Sequence, residues 1–129
     1  MSEGCCGSSG ETLLFACAGA AHCGQVTNRA ALQLTIDGVA QIFCTAAVSA
    51  GVEDKLDRTR RAWRRVAIDG CEDHCVRKTL ETADLPVDLH FVAMDLGVEK
   101  QPANPRMLED ARNLADQIQR VLLAASARA

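Results

Sequence analysis

Arg65-Val66-Ala67-Ile68-Asp69-Gly70-Cys71-Glu72-Asp73-His74-Cys75 is the stretch on which the fold turns. Arg65 to Ile68 reads as a strand, with β-branched Val66 and Ile68 suited to a pleated, buried surface. Asp69-Gly70 ends it, and the glycine lets the backbone turn sharply. Glu72 and Asp73 then suit the first turn of a helix, and Arg77 and Lys78 its later turns, each charge matching the helix dipole. On this reading Cys71 stands at a helix N-terminus and Cys75 one turn along. Residues four apart on a helix share a face, with Cβ atoms ~5–6 Å apart.

The same unit recurs on both sides. Thr12-Leu13-Leu14-Phe15-Ala16-Cys17 reads as a fully buried strand, followed by Gly19 and a helix that begins near His22 to Gln25. Val26, Ala30 and Leu34 keep helical spacing, and Asp37-Gly38 stops the helix where a left-handed cap is favoured. Val39 to Thr45 reads as a second buried strand, then small residues run through Gly51 to a charged helix over about 52 to 61. Beyond the central unit, Pro86 resets the chain before a fourth strand, Val87 to Met94. Asn104-Pro105 then starts a last helix, with proline at its first position. Met107, Ala111, Leu114, Ile118, Val121 and Leu122 form the apolar stripe of that helix.

Four alternations of near-continuous apolar strand and helix predict an α/β fold of three layers, a four-stranded, mainly parallel sheet with helices on both faces. Right-handed crossovers make a Rossmann- or flavodoxin-like strand order of 2-1-3-4 the expectation. A length of 129 residues fits one domain. Residues 1–11, rich in glycine and serine, read as a flexible leader and residues 12–129 as the domain.

Composition narrows the function. Aromatics make up 3% of the chain, so Ala, Val, Leu and Ile must build the core. A formal net charge of -3 points neither to nucleic acid nor to an anionic membrane. No apolar stretch approaches the ~20 residues that span a bilayer. The opening residues lack the basic and apolar regions of a signal peptide, so a cytoplasmic location is expected. Seven cysteines in a reducing compartment then suggest metal or redox chemistry over structural disulfides.

In such a sheet, ligands bind outside the carboxyl ends of the strands. Cys17 closes the first strand, Cys44 lies near the end of the second, and Cys71 and Cys75 follow the third. Four thiols far apart in sequence should therefore converge on one edge. Zinc takes four such ligands in a tetrahedron, with sulfur at ~2.3 Å, which makes Zn2+ the expected cofactor and Cys17, Cys44, Cys71 and Cys75 its expected ligands. With three ligands, the open position would allow Lewis-acid chemistry, for which Asp69, Asp95 and Glu72 are candidate bases. An iron–sulfur cluster also fits four cysteines. Asp69 is a candidate to accept hydrogen bonds from the loop that carries Cys71.

The run Ile68-Asp69-Gly70-Cys71-Glu72-Asp73-His74-Cys75, with Lys78 after it, resembles the signature of the DGC-domain family of zinc-binding proteins. Cys17-Ala18-Gly19, Phe43-Cys44-Thr45-Ala46 and Asp95-Leu96-Gly97-Val98-Glu99-Lys100 are similar to further segments of that family. The resemblance covers about residues 12 to 101. It implies that Cys17, Cys44, Cys71 and Cys75 are the metal-chelating cysteines. Cys5, Cys6 and Cys23 are additions to the family pattern.

Other signals compete. His22-Cys23-Gly24-Gln25-Val26-Thr27-Asn28-Arg29 spells HCx5R, the arrangement of cysteine phosphatases and arsenate reductases, in which loop amides and the arginine hold an oxyanion. Ala30 stands where a hydroxyl residue is usual, and the loop is poor in glycine. A thiol enzyme acting on disulfide or persulfide through Cys23 or Cys71 is the other alternative. His22 and His74 are expected at the surface, and His90 as a packed or edge residue of the fourth strand. Arg58, Arg60, Arg61, Arg64 and Arg65 around Trp63 read as a solvated helix end, not a nucleic-acid patch.

Overall fold

The computed structural model describes residues 10–128, with side chains to residue 125. Its elements in chain order are β1 (Thr12–Ala16), α1 (His22–Ile36), β2 (Gln41–Ile42), α2 (Thr45–Ala50), α3 (Glu53–Arg61), β3 (Arg64–Asp69), α4 (Cys75–Thr82), β4 (Leu89–Val92), a single 3-10 turn (Ala93–Leu96) and α5 (Met107–Arg128). The strands form one parallel sheet in the order β2-β1-β3-β4. This is the order the alternation of strands and helices predicts.

Pleating divides the sheet into two cores. Leu14, Ala16, Val66 and Ile68 face α1 and α5 and pack with Val26, Ala30, Leu34, Leu114 and Ile118. Leu13, Phe15 and Ala67 point the other way, onto Val48 of α2, Leu56 of α3 and Val76 and Leu80 of α4. Alternate residues of a strand line opposite faces, so each central strand supplies both cores and must be apolar throughout. With so few aromatics, Phe15 is the largest wholly buried side chain, and the edge of Phe43 meets it at 5.8 Å between ring centroids.

Several boundaries differ from the sequence reading. The second strand is two residues long, not the run Val39 to Thr45, because Cys44 caps α2 and Thr45 opens it. That six-residue helix ends at Gly51, whose φ of 74° is the left-handed cap conformation. The fourth strand is confined to Leu89–Val92, and Ala93–Leu96 turns away as a 3-10 segment. The last helix begins at Met107 and not with proline at its first position, and in the turn before it the Asn104 side-chain oxygen accepts the Arg106 N–H at 2.9 Å.

The helix after β3 starts at Cys75, not at Glu72 or Asp73. Cys71 therefore lies in the turn before α4 rather than at its N-terminus, and the two cysteines do not share a helix face. His74 precedes the helix in a left-handed conformation, φ 53°, which is uncommon for a residue with a Cβ.

The basic run also behaves differently. Arg60 and Arg61 are exposed, but Arg64 and Arg65 are buried at the amino edge of the sheet. The Arg65 guanidinium donates to the carbonyls of Thr59 and Ala62 at the end of α3 and to that of Pro86, and it pairs with Asp88 at 3.0 Å. It thus satisfies carbonyls that the end of a helix leaves without partners. Glu11 is already tied to the domain, since its carbonyl accepts the N–H groups of Trp63 and Arg64 and its carboxylate pairs with Arg58 at 2.6 Å. The rest of the expected leader, residues 1–9, lies outside the described residues. Among the described residues no helix is long and apolar enough to cross a membrane.

Candidate thiol site at the carboxyl edge of the sheet

The site begins with backbone contacts. A Cβ on Gly24 would stand 2.9 Å from the Gly19 nitrogen and oxygen, and one on Gly70 would stand 2.9 Å from the Gly24 nitrogen and 3.0 Å from the Cys23 carbonyl carbon. The first turn of α1 is therefore wedged between the loop after β1 and the turn after β3. Only glycine permits backbones to approach this closely.

Side chains of α1 lock the wedge. The Gln25 amide donates to the carbonyls of Ala18 and Gly19, at 3.1 and 2.8 Å. The Thr27 hydroxyl lies 2.6 Å from the Cys17 carbonyl and 2.7 Å from that of Gly24. His22 is wholly buried, contrary to the expectation of a surface residue. Its Nδ1 accepts the Asn104 N–H at 3.4 Å, so its Nε2 carries the proton and donates to Asp110 at 2.8 Å. Both ring nitrogens are occupied, which removes His22 from the possible metal ligands.

Four of the five described cysteines line the resulting edge. Cys17 follows β1, its N–H bonded to the Ile68 carbonyl at 3.0 Å and its sulfur accepting the Gly19 N–H at 3.3 Å. Cys23 is the second residue of α1 and is buried, and Cys71 follows Gly70 and packs on the same core cluster. Burial pushes the Cys23 thiol above its ordinary value, and the neighbouring charges of Cys71 and Cys17 push it further, while the Gly24 N–H acts in the opposite sense. The Cys75 thiol, at the start of α4, is raised by desolvation and then by Cys17, Asp73, Asp69 and Cys71. The Cys71 sulfur, and then Asp73, raises the pKa of the Lys100 ammonium, placing a cation beside the cluster.

Cys44 stands apart from these four. Its backbone is near β1, since the Thr45 hydroxyl donates to the Ala16 carbonyl at 3.3 Å. Its side chain is exposed, as that of Cys75 is, and its charge acts on Lys55 of α3. Among the described residues, no three or more His, Cys, Asp or Glu side chains stand ready as a metal site. The edge thus gathers thiols without arranging them as a coordination polyhedron.

Beneath the thiols lies a polar element whose composition the sequence reading only partly caught. Asp69, almost wholly buried, accepts the N–H groups of Val76 and Arg77 at 2.6 and 3.3 Å and meets His90 Nε2 at 2.7 Å. Its carboxylate holds the first turn of α4, and with it Cys75. His90 does lie on an edge strand, and the ring of His74 meets it edge-on at 4.9 Å between centroids. Asp69 was foreseen as an acceptor, but pairing across 21 residues gives no local signal. The HCx5R run is helical from His22, with Cys23 buried and Arg29 exposed, so no open loop surrounds Cys23 to cradle a phosphate.

A parallel sheet with thiols gathered at its carboxyl edge, behind an Asp-Gly-Cys turn, defines the class. The DGC domain profile matches residues 13–118, and the chain belongs to the DGC-domain family. It is similar to the anaerobic and virulence modulator AnvM of Pseudomonas aeruginosa strain PAO1, at 30% identity over 110 residues, covering 85% of this chain and 84% of that protein. No solved structure matches it.

Proposed function

We propose that this chain is a zinc-binding module whose ion is held by Cys17, Cys71, Cys75 and one further thiol, with Cys44 as the sequence-based choice for the fourth. What supports the reading is that Cys17, just past β1, Cys71, just past β3, and Cys75, at the start of α4, lie at the carboxyl edge of two neighbouring strands. Thiolates crowded in this way repel one another, and a divalent cation among them turns that repulsion into attraction. Zinc would have to draw the sulfurs together, a rearrangement set against the ~10–16 kcal/mol with which structural zinc binds zinc-finger peptides. The donor chemistry fits zinc even though the sulfurs are not arranged around an ion.

With four thiolates bound, zinc supplies a closed structural cross-link; with three, it supplies a Lewis acid with one open position. The residues around it have separable tasks. Asp69 orients the first turn of α4, Gln25 and Thr27 fix the loop that bears Cys17, and Lys100 offsets thiolate charge at Cys71.

A thiol–disulfide centre is the second reading, favoured by the gathering of several thiols at one edge of the sheet. One experiment separates the two. Protein purified without chelator is assayed for metal by elemental analysis and for reactive thiols before and after chelation. About one zinc per chain, with about four thiols released by the chelator, supports the module. Metal-free protein that stays so after reconstitution, with a thiol pair lost on mild oxidation, would leave the redox reading in its place.

A further inference from the structure

We propose that residues 97–106 form a strap that closes the carboxyl edge of the sheet over Cys23, with the His22 ring as its latch. The inference is independent of the zinc reading. Between the 3-10 turn and α5 the chain forms neither helix nor strand, and residues 99–103 are exposed. Beneath it, His22 at the start of α1 is 0% exposed, and its polar contacts identify the cover. The His22 N–H donates to the Gln101 carbonyl at 2.6 Å, and Ala21 bridges to Pro102. The ring accepts the Asn104 N–H at Nδ1 and donates to Asp110 from Nε2. Each of these partners belongs to the strap or to the first turn of α5 that follows it.

Cys23, the next residue, is 2% exposed and shares a buried cluster with Ala93 and Val98, against which Leu96 and Met107 pack. The strap is thus anchored in the core at both ends, at Val98 and at Met107. Its middle is held otherwise. Among the described residues, none of residues 99–103 belongs to either core cluster, and Lys100 pairs with Asp73 at 3.7 Å. Segments with few buried apolar contacts open locally, below the free energy of global unfolding. Gly97, at φ 98°, supplies a hinge that no Cβ restrains. On its other sides the Cys23–Gly24 turn is wedged against Gly19 and Gly70, at separations too short for a Cβ, so the strap is the wall that can move. Lifting it breaks the Gln101 and Asn104 bonds and leaves the sheet intact. Cys23 then reacts with a solute only while the strap is raised.

The test follows N-ethylmaleimide modification of Cys23 in the full chain by peptide mass mapping, at urea concentrations below the unfolding transition, together with amide hydrogen exchange. If the strap gates the thiol, Cys23 reacts far more slowly than exposed Cys44, at a rate that urea leaves nearly unchanged. The His22 amide then exchanges through the same opening, while the Gln25 amide, bonded to the Ala21 carbonyl, stays protected. His22→Phe keeps a buried ring but strands the Asn104 N–H, and should speed Cys23 modification about tenfold. Modification that climbs with urea as steeply as global unfolding, or that keeps pace with exchange at Gln25, would overturn the strap, because unfolding or fraying of α1 would then be what frees the thiol. Modification as fast as at Cys44 would overturn it too. An unchanged rate in His22→Phe would overturn the latch. The urea and exchange arms are read on the wild type, so they decide the question even where the variant does not fold.

Discussion

At the scale of single residues, the site depends on glycines more than on any acid or base. A Cβ added at Gly24 or at Gly70 would stand 2.9 Å from backbone atoms of a neighbouring segment, and backbone cannot swing aside as a flexible side chain can. Gly70→Ala should therefore force apart the turn that carries Cys71 and the first turn of α1. Overpacking of this kind costs about 1–3 kcal/mol, so the urea midpoint should fall accordingly. Metal affinity should drop at least ~10-fold in the same variant, because misplacing one ligand weakens the whole set. A Gly70→Ala protein with wild-type stability and affinity would show that the loops have slack, and the wedge would lose its role. Gly19 offers a milder contrast, its added Cβ meeting only the Cys17 sulfur at 3.3 Å.

At the scale of elements, α4 shows how a carboxylate on a strand can set where a helix begins. The sequence reading started this helix at Glu72 and Asp73 because acidic residues suit a first turn. The structure starts it at Cys75, where Asp69 reaches past the intervening turn to accept two N–H groups and meet His90. Local patterning cannot reveal a cap seven residues upstream, nor a partner on another strand. Asp69→Ala removes a buried acceptor and strands two helix amides together with the His90 ring. Unsatisfied buried groups cost about 1–3 kcal/mol each, so a loss of roughly 3 kcal/mol is expected in urea unfolding, with hydrogen exchange fastest in α4. A loss below about 1 kcal/mol would mean that α4 holds itself in place and that Asp69 has another role. Other parts of the chain were hidden for similar reasons. The six residues of α2 are too short to show a stripe, and the partner that buries His22 lies 88 residues away. By contrast, β1 and β3 were legible almost to the residue, because a central strand is apolar on both faces.

At the scale of the whole molecule, the alternation of strands and helices was enough to give sheet order, because right-handed crossovers leave few arrangements for four parallel strands. The same topology brings the ends of β1 and β3 side by side, which is why cysteines more than fifty residues apart meet at one edge. The choice among thiols was not legible. It depends on which way each side chain points, and a residue just past a strand, such as Cys44, can face the site or the solvent. The proposed ligands sit on separate elements joined only by the folded sheet, so the ion should bind the native chain far better than the unfolded one. Zinc in excess should then stabilise the protein by RT ln(1 + [L]/Kd), about 2.7 kcal/mol at a hundredfold excess over Kd. For a domain of this length that is a rise in melting temperature of about 10 °C, reversed by chelator and absent in Cys71→Ser. If zinc binds but the melting temperature does not move, the ion is held by a segment that binds it equally well unfolded. The cross-link between β1, β3 and α4 would then have to be abandoned, whatever the metal content.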